Sequence, residues 1–440
     1  MRDFARSDSP AVQAQLDRLA TLSLPQGRIG LEAITALLAR LGDPHKHLPP
    51  VFHVAGTNGK GSTCAYLRAM LEAQGLTVHA TTSPHLVRYN ERIRIAGKLI
   101  EDEALAEVLD AADGIQVSFF EVTIAASFLA FSRHPADACV IEVGLGGRFD
   151  ATNVLERPAA CGVASLGIDH EAFLLTPEEG VPQEPLARIA FEKASIAKRG
   201  SPLVTQNYTR EANQAVSQTA RLHRAELFMR GQAWRAVVGE QIEYSDCFGP
   251  LMLPLPALPG RHQADNAALA VAMLRHQDKV KVSPEAMAQG IRNARWPGRL
   301  QRLGPGPLTD MLPGRTVWVD GCHNADCAQA IVKAMVDKAP FDLVFGLMRN
   351  RRIADVLGPF APLVRKARTV PLPGHDHHDP RDIAMVAQGG LGPRECYPDF
   401  TLEQAVERLG GDADGRPDVL IAGSPYLAGE ALRLNREFPD

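Results

Sequence analysis

The stretch His53-Val54-Ala55-Gly56-Thr57-Asn58-Gly59-Lys60-Gly61-Ser62 decides how the rest of the chain is read. It closes a β-branched run, Val51 to Ala55, that predicts a strand. Ser62 to Gln74 predicts a helix, with Cys64, Leu67 and Leu71 on one face. Between them lies a glycine-rich turn. Glycines let backbone N–H groups face a phosphate, and the helix N-terminus adds the positive end of its dipole. Lys60 supplies a point charge and Ser62 a hydroxyl for Mg²⁺. The spacing departs from the general phosphate loop, because two residues separate Gly56 from Gly59-Lys60 and Gly61 intervenes before Ser62. The competing reading is a strand-to-helix turn that needs only its glycines.

Working outward, the same order of short apolar run, glycine turn and amphipathic helix recurs, which is the grammar of an α/β fold. Uniformly apolar runs at Ala138 to Val143, Ala160 to Leu166 and Pro202 to Thr205 predict parallel strands covered on both faces. Helices are predicted over Asp102 to Ala112, Glu121 to Arg133, Pro185 to Lys198, Gln263 to His276 and Pro284 to Asn293. Around Arg295 to Arg302 the text changes to a turn and then a Pro- and Gly-rich loop, Gly304 to Gly314, which places a domain boundary there. The expected division is 1–296 and 297–440. The second part predicts strands at Thr316 to Asp320, Asp342 to Phe345 and Val419 to Ala422, a helix at Ala325 to Lys338, and an apolar run Thr369 to Leu372.

The 440 residues, 45% hydrophobic and 22% charged, suit a soluble globular protein too long for one ordinary core. Forty-seven Lys and Arg against fifty-one Asp and Glu give a net charge of -4, so no basic field draws the chain to nucleic acid or anionic lipid. Met1 to Pro10 has no apolar segment of a signal peptide, and no run reaches the ~20 apolar residues that span a bilayer. The expectation is a cytoplasmic protein without membrane or nucleic-acid partners. Seven cysteines with no C-x-x-C pair read as reduced, mostly buried thiols.

Other residues narrow the chemistry. Glu142 ends an apolar strand and is followed by Gly144, Gly146 and Gly147, so a buried carboxylate stands at the edge where open parallel sheets bind ligands. Mg²⁺ would satisfy it; a structural pair with Arg148 is the alternative. Asp169-His170 follows the next strand at the same edge. Lys193 lies seven residues after Leu186 and four after Ile189, on the apolar face of its helix. A lysine there is paired, has a lowered pKa, or is modified, for instance carbamylated to an anion; a snorkelling or salt-bridged side chain is the plainer reading. Asp320-Gly321-Cys322-His323-Asn324 caps a strand of the second part, where a simple helix cap competes with a functional role. The run Gly374 to Asp379, with three histidines, reads as a solvated loop rather than a metal site.

Together these segments resemble the folylpolyglutamate synthase and dihydrofolate synthase family of the Mur ligase superfamily. The matching words are His53 to Thr63, Thr82 to Arg94 with Ser83-Pro-His-Leu86 and Asn90-Glu-Arg-Ile93, Glu142 to Asn153, Phe191 to Ile196, Pro297-Gly-Arg299 and Asp320 to Asn324. The resemblance implies a P-loop, Mur-ligase-like ATPase domain with a parallel sheet and an N-terminal substrate-binding segment, then a smaller Rossmann-like α/β domain. It implies an ATP-dependent ligase that adds L-glutamate to dihydropteroate, to folates, or to both, through an acyl phosphate. Gly56, Thr57, Asn58, Gly59, Lys60, Gly61 and Ser62 would cradle the ATP phosphates. Asn266, Arg299 and Asp320 match further ATP contacts, and Ser62, Glu142 and His170 match ligands of Mg²⁺, expected as two ions. Lys193 matches a lysine carbamylated in the family. Ser83 and His323 match residues tied to glutamate, and Ser118, Phe120, Asp150 and Ala151 fall where the pterin substrate is held. Lys60, Lys193 and His323 are the expected catalytic residues, in a monomer whose domains hinge near Trp296-Pro297-Gly298. Asn350-Arg351-Arg352 replaces an acidic family motif, and Thr176 to Pro185 reads as an insertion. A monofunctional folylpolyglutamate synthase, a P-loop phosphotransferase, a nucleotide-gated binding module and a cell-wall ligase, which Ser83 to Leu86 disfavours, are the alternatives.

Overall fold

The computed structural model describes residues 7–22, 30–112, 117–411 and 417–440; the reading of the first residues as lacking a leader falls largely outside them. The chain forms two units. One comprises the chain up to Pro84 with Tyr89–Ala257 and His262–Arg295; the other comprises His85–Arg88, Leu258–Arg261 and Trp296–Asp440.

The first unit is built on strands β1 (Val51–Ala55), β2 (Val78–Thr81), β3 (Ile93–Ile95), β4 (Lys98–Leu99), β5 (Ala138–Glu142), β6 (Ala160–Val163), β7 (Pro202–Thr205) and β8 (Glu226–Met229). They form one sheet in the order β4-β3-β2-β5-β1-β6-β7-β8. The run from β2 to β8 is parallel, and β3 and β4 add an antiparallel edge. Every residue of β1 and β5 is buried, which is why both read as unbroken apolar runs without alternation. Helices Phe119–Ser132 and Lys60–Ala73 bury most of their length. Ser118 caps the former: its hydroxyl accepts from the Glu121 amide while Glu121 reaches back to the Ser118 amide. A separate antiparallel sheet of β9 (Trp234–Val238), β10 (Ile242–Asp246) and β11 (Gly249–Leu253) belongs to the same unit.

The second unit holds β12 (Gln301–Arg302), β13 (Val317–Val319), β14 (Phe341–Phe345), β15 (Val364–Thr369), β16 (Cys396–Pro398) and β17 (Val419–Ala422), in the order β12-β13-β17-β14-β15-β16. All pairs except β12–β13 are parallel. Apolar clusters cover both faces of this sheet, and Leu86 and Val87 pack on one of them.

Some predicted limits shift. The helix expected to reach Lys198 ends at Ala194, where Ser195 turns its hydroxyl back to the Phe191 carbonyl at 2.8 Å and Asn153 donates to the Ser195 carbonyl. β15 begins at Val364, well before the apolar Thr369 to Leu372 that marked it in sequence. Val364, Arg365, Lys366 and Arg368 are half-buried while Ala367 is fully buried, and Arg365 and Arg368 pair with Asp342 and Asp399. The cysteines are all free thiols, but Cys247 is exposed and Cys327 half-buried.

Candidate active site

β5, β1 and β6 are neighbours, and their carboxyl ends lie side by side because Val54 pairs with Glu142 and Ala55 with Val163. Three loops therefore leave one edge of the sheet together. They carry Gly56–Gly59, Glu142–Gly147 and Ser165–His170. The chain order reverses at this point of the sheet, which is where open α/β sheets form their binding crevice.

The glycine loop is shaped by its neighbours. Gly56 and Gly59 have φ of 150° and 83°. A Cβ on Gly56 would fall 2.9 Å from that of Ala164, and one on Gly59 would fall 2.4 Å from Asn266 Oδ1. Only glycine fits either position. Thr57 ties the loop to the one after β6: its amide donates to the Ser165 carbonyl at 2.8 Å and its hydroxyl to the Gly167 carbonyl at 2.9 Å. Ser165 in turn donates to the Asn58 carbonyl at 3.0 Å. Lys60 opens the helix Lys60–Ala73 and folds its ammonium onto the carbonyls of Gly56 (3.0 Å) and Thr57 (3.3 Å). The cation thus sits over the cradle, at the positive end of a fourteen-residue helix. Asn266, steadied by Gln263, borders the same loop.

Glu142 is buried, and its Oε2 accepts the Ser83 amide at 3.0 Å. The structural alternative for this carboxylate, a pair with Arg148, is not what the guanidinium does. Arg148 binds Glu178 and Glu192, and Arg188 binds the same two carboxylates. Glu178 lies in the segment read as an insertion, so that segment completes a four-charge cluster with Arg148 and, from the helix Pro185–Ala194, Arg188 and Glu192. Gly147 lets this helix approach: a Cβ there would sit 2.6 Å from the Glu192 carbonyl and 3.0 Å from Lys193 Cα.

Lys193 is buried. Burial first, and then the like charge of Lys60, push its pKa down from 10.5 to about 7; Asp169, Asp150 and Glu192 pull the other way. The same interactions show that Lys60, Lys193, Asp169 and Asp150 share one electrostatic neighbourhood. His170, in a left-handed conformation with φ 54°, donates its amide to Asp169 Oδ1 at 2.6 Å.

Asp150 knots the loop after β5. It accepts from the Leu145 amide (2.8 Å), the Thr152 amide (3.0 Å) and the Thr152 hydroxyl (2.5 Å). Since that hydroxyl gives its proton to Asp150, it accepts from His53 Nε2 at 2.8 Å, which fixes the His53 tautomer. Burial holds His53 neutral, with its pKa pushed down to about 3. Ala151 begins the 3₁₀ turn that Asp150 caps. Phe120 lies beside this loop: a Cβ on Gly144 would fall 2.2 Å from the tip of its ring. Ser118 is two residues earlier in the same helix start, engaged with Glu121.

In the second unit, Asp320 follows β13 and is buried, accepting from the Leu300 amide and the Cys322 amide, both at 2.7 Å. Burial raises its pKa, partly offset by Arg299. His323 Nδ1 lies 3.3 Å from the Gly321 carbonyl, and Asn324 caps the next helix by accepting from the Cys327 amide. The histidine-rich loop is structural: His377 and His378 hold the carbonyls of His375 and Arg351, and the ring of His375 stacks on Tyr426.

The donor set at the first unit's sheet edge suits a magnesium nucleotide. Ser62 and Glu142 offer hard oxygens and His170 a ring nitrogen, while the glycine loop presents a cradle that any Cβ would fill. Sequence reasoning did not single out Gln263, Ser165, Glu178 or Arg188. Of these only Arg188 carried a local signal, its i,i+4 spacing to Glu192.

No family model matches the chain. It is 33% identical to the dihydrofolate synthase/folylpolyglutamate synthase of Escherichia coli, over 92% of this chain and 91% of that protein. It is also 33% identical to a probable bifunctional folylpolyglutamate synthase/dihydropteroate synthase of Haloferax volcanii, over 92% of this chain; it spans 48% of that longer protein. Among solved structures, Escherichia coli FolC in complex with DHPP and ADP matches with a TM-score of 0.83 and 30% identity, covering 97% of both chains. The bifunctional enzyme of Yersinia pestis with Mn, AMPPNP and L-glutamate bound matches with a TM-score of 0.82 and 28% identity, over 97% of this chain and 98% of the other. The class is therefore that of the Mur-ligase-like two-domain α/β proteins. Within it, the chain belongs to the folylpolyglutamate synthase/dihydrofolate synthase family, whose members are ATP-dependent ligases that form amide bonds. No helix among the described residues is long and apolar enough to cross a membrane.

Proposed function

We propose that this chain is an ATP- and Mg²⁺-dependent ligase that adds L-glutamate both to dihydropteroate and to reduced folates. The observation that carries the reading is the convergence of the glycine cradle with Lys60, Glu142 and the buried Lys193 at the carboxyl edge of β5, β1 and β6. In this reading Gly56 to Ser62 and Asn266 hold the ATP phosphates, with Arg299 and Asp320 of the second unit as further nucleotide contacts. Ser62, Glu142 and His170 would hold Mg²⁺, expected as two ions, which would supply neutralisation of charge on the triphosphate. Phe120, Ser118, Asp150 and Ala151 border the pterin substrate, and Ser83 and His323 position the incoming glutamate. The protein acts as a cytoplasmic monomer on small molecules.

The chemistry is two displacements. The substrate carboxylate attacks the γ-phosphorus, the bond to the β-phosphate oxygen breaks, and ADP leaves with an acyl phosphate formed. The amine of glutamate then attacks the acyl carbon, phosphate departs, and the nitrogen loses a proton to give the amide. Phosphoryl transfer asks mainly for positioning and fixed charge, which Lys60 and the loop amides supply without reorganising. Lys193 is suited to a carbamate: a buried amine with pKa near 7 is half neutral at pH 7, the form that adds CO₂ and releases a proton. The resulting anion would meet the cations of the site.

The test is ADP release with dihydropteroate and tetrahydrofolate offered separately, each with and without L-glutamate. The reading expects ADP and phosphate in both series only when glutamate is present, with a glutamylated product. Turnover on tetrahydrofolate alone would mark a monofunctional folylpolyglutamate synthase. A phosphorylated acceptor formed without glutamate would mark a phosphotransferase.

A further inference from the structure

We propose that Asp320, Cys322 and Cys327 form a binding site for one thiophilic divalent cation of the zinc or cadmium class. β13 ends at Val319, and Asp320 begins the turn into the helix Ala325–Met335. Two hydrogen bonds fix that turn. The Cys322 amide donates to Asp320 Oδ1 at 2.7 Å, and the Cys327 amide donates to Asn324 Oδ1 at 3.0 Å, holding Cys327 in the first helical turn. As a result one carboxylate oxygen and two sulfurs all lie within 4.8 Å of one another, the one such group of three among the described residues.

The dimensions and the chemistry agree. Two thiolates bound ~2.3 Å from a tetrahedral ion stand about 3.8 Å apart, inside this envelope. Two sulfurs and one oxygen select a soft or borderline cation over Mg²⁺, which takes oxygen ligands at near-octahedral geometry, and leave a fourth position for water. Binding converts two thiols to thiolates and releases two protons to solvent. The ion and its three anionic ligands then carry one net negative charge, beside the Arg299 guanidinium, which lies 3.1 Å from the position of a Cβ on Gly321. Access is asymmetric: Cys322 is fully buried in the apolar cluster of this unit, whereas Cys327 is half-buried and opens the route in. If Asp320 also contacts the nucleotide, as the functional reading holds, occupancy by such an ion competes with ATP.

The test uses the full chain, reduced with a phosphine, in excess Mg²⁺ and without nucleotide or acceptor. Cd²⁺ is titrated while the cadmium–thiolate charge-transfer absorption, proton release and bound metal are recorded. The expectation is one Cd²⁺ and two protons per chain. Cys327→Ser should lose the absorption and Cys247→Ser, an exposed thiol elsewhere, should keep it. Asp320→Asn should weaken binding by at least the ~10–100-fold that loss of a supporting group costs a metal site. Iodoacetamide labelling of Cys327 should be blocked by Cd²⁺, a readout that needs no variant to fold. Equal absorption in Cys327→Ser and the parent, or unprotected Cys327 at saturating Cd²⁺, overturns the proposal. Because no turnover is measured, a chain that binds Cd²⁺ but never ligates glutamate contradicts only the functional reading.

Discussion

The backbone nitrogen of Ser83 donates to Glu142 Oε2 at 3.0 Å, joining the loop after β2 to the end of β5. A glutamine at 142 keeps an oxygen acceptor of the same shape but loses the charge. Glu142→Gln should therefore fold with an unchanged melting temperature in the absence of Mg²⁺, while kcat/KM falls by at least ~100-fold, the scale of losing one preorganised electrostatic group. A variant with normal Mg²⁺ dependence would remove Glu142 from the metal site.

Gly59 stands at φ 83° with Asn266 Oδ1 2.4 Å from where a Cβ would be. Gly59→Ala carries a left-handed backbone cost of ~1–2 kcal/mol and displaces Asn266 as well. ADP affinity, read by calorimetry, should fall well beyond the change in stability read by denaturant unfolding. Equal ADP affinity in the two proteins would separate the loop from nucleotide binding.

Lys193 titrates near 7 in the folded chain against 10.5 when free. The folded state binds fewer protons than the unfolded one between those values, so the group's destabilising effect is full below pH 7 and is relieved as pH rises towards 10.5. Carbamylation needs the neutral amine, so incorporation of carbon-13 bicarbonate, followed by NMR, should grow between pH 6 and 8 and vanish in Lys193→Met. A carbamate signal of the same size in Lys193→Met would place the modification elsewhere.

Glu178 bridges Arg148 and Arg188 from the inserted segment. Glu178→Ala leaves two partly buried guanidiniums sharing Glu192, and should cost about 1–2 kcal/mol, between the values for exposed and fully buried pairs. Thermal unfolding should show a lower midpoint that added salt does not restore. An unchanged midpoint would mean that Glu192 alone carries the cluster.

Phe120 faces Gly144 at the loop that follows Glu142. Phe120→Ala should raise KM for dihydropteroate by about tenfold, the scale of one aromatic contact, and leave KM for ATP unchanged. A rise in KM for ATP alone would move Phe120 out of the acceptor subsite.

Much of this was legible in the chain itself, for definable reasons. β1 and β5 are buried on both faces, so their residue types carry the signal alone, and Gly56 and Gly59 of the cradle sit at positive φ, which L side chains rarely adopt, with neighbours where a Cβ would be. Lys193 was legible because helical spacing put a cation on the face of Leu186 and Ile189. The small sheet β9–β11 escaped notice because its alternating residues include many that are polar or charged. β15 escaped because its outward arginines are recruited by Asp342 and Asp399, which are distant in sequence. Glu178 had no local signal: both its partners are ten or more residues away.

The central claim, activation of a carboxylate by phosphoryl transfer before amide formation, is tested most directly by isotope transfer. Folate acceptor labelled with oxygen-18 in its reacting carboxylate is turned over with ATP and L-glutamate, and the released phosphate is analysed by mass spectrometry. The account predicts one oxygen-18 atom in each phosphate, carried there when the acyl phosphate collapses. Phosphate free of the label, with amide product formed, would contradict it.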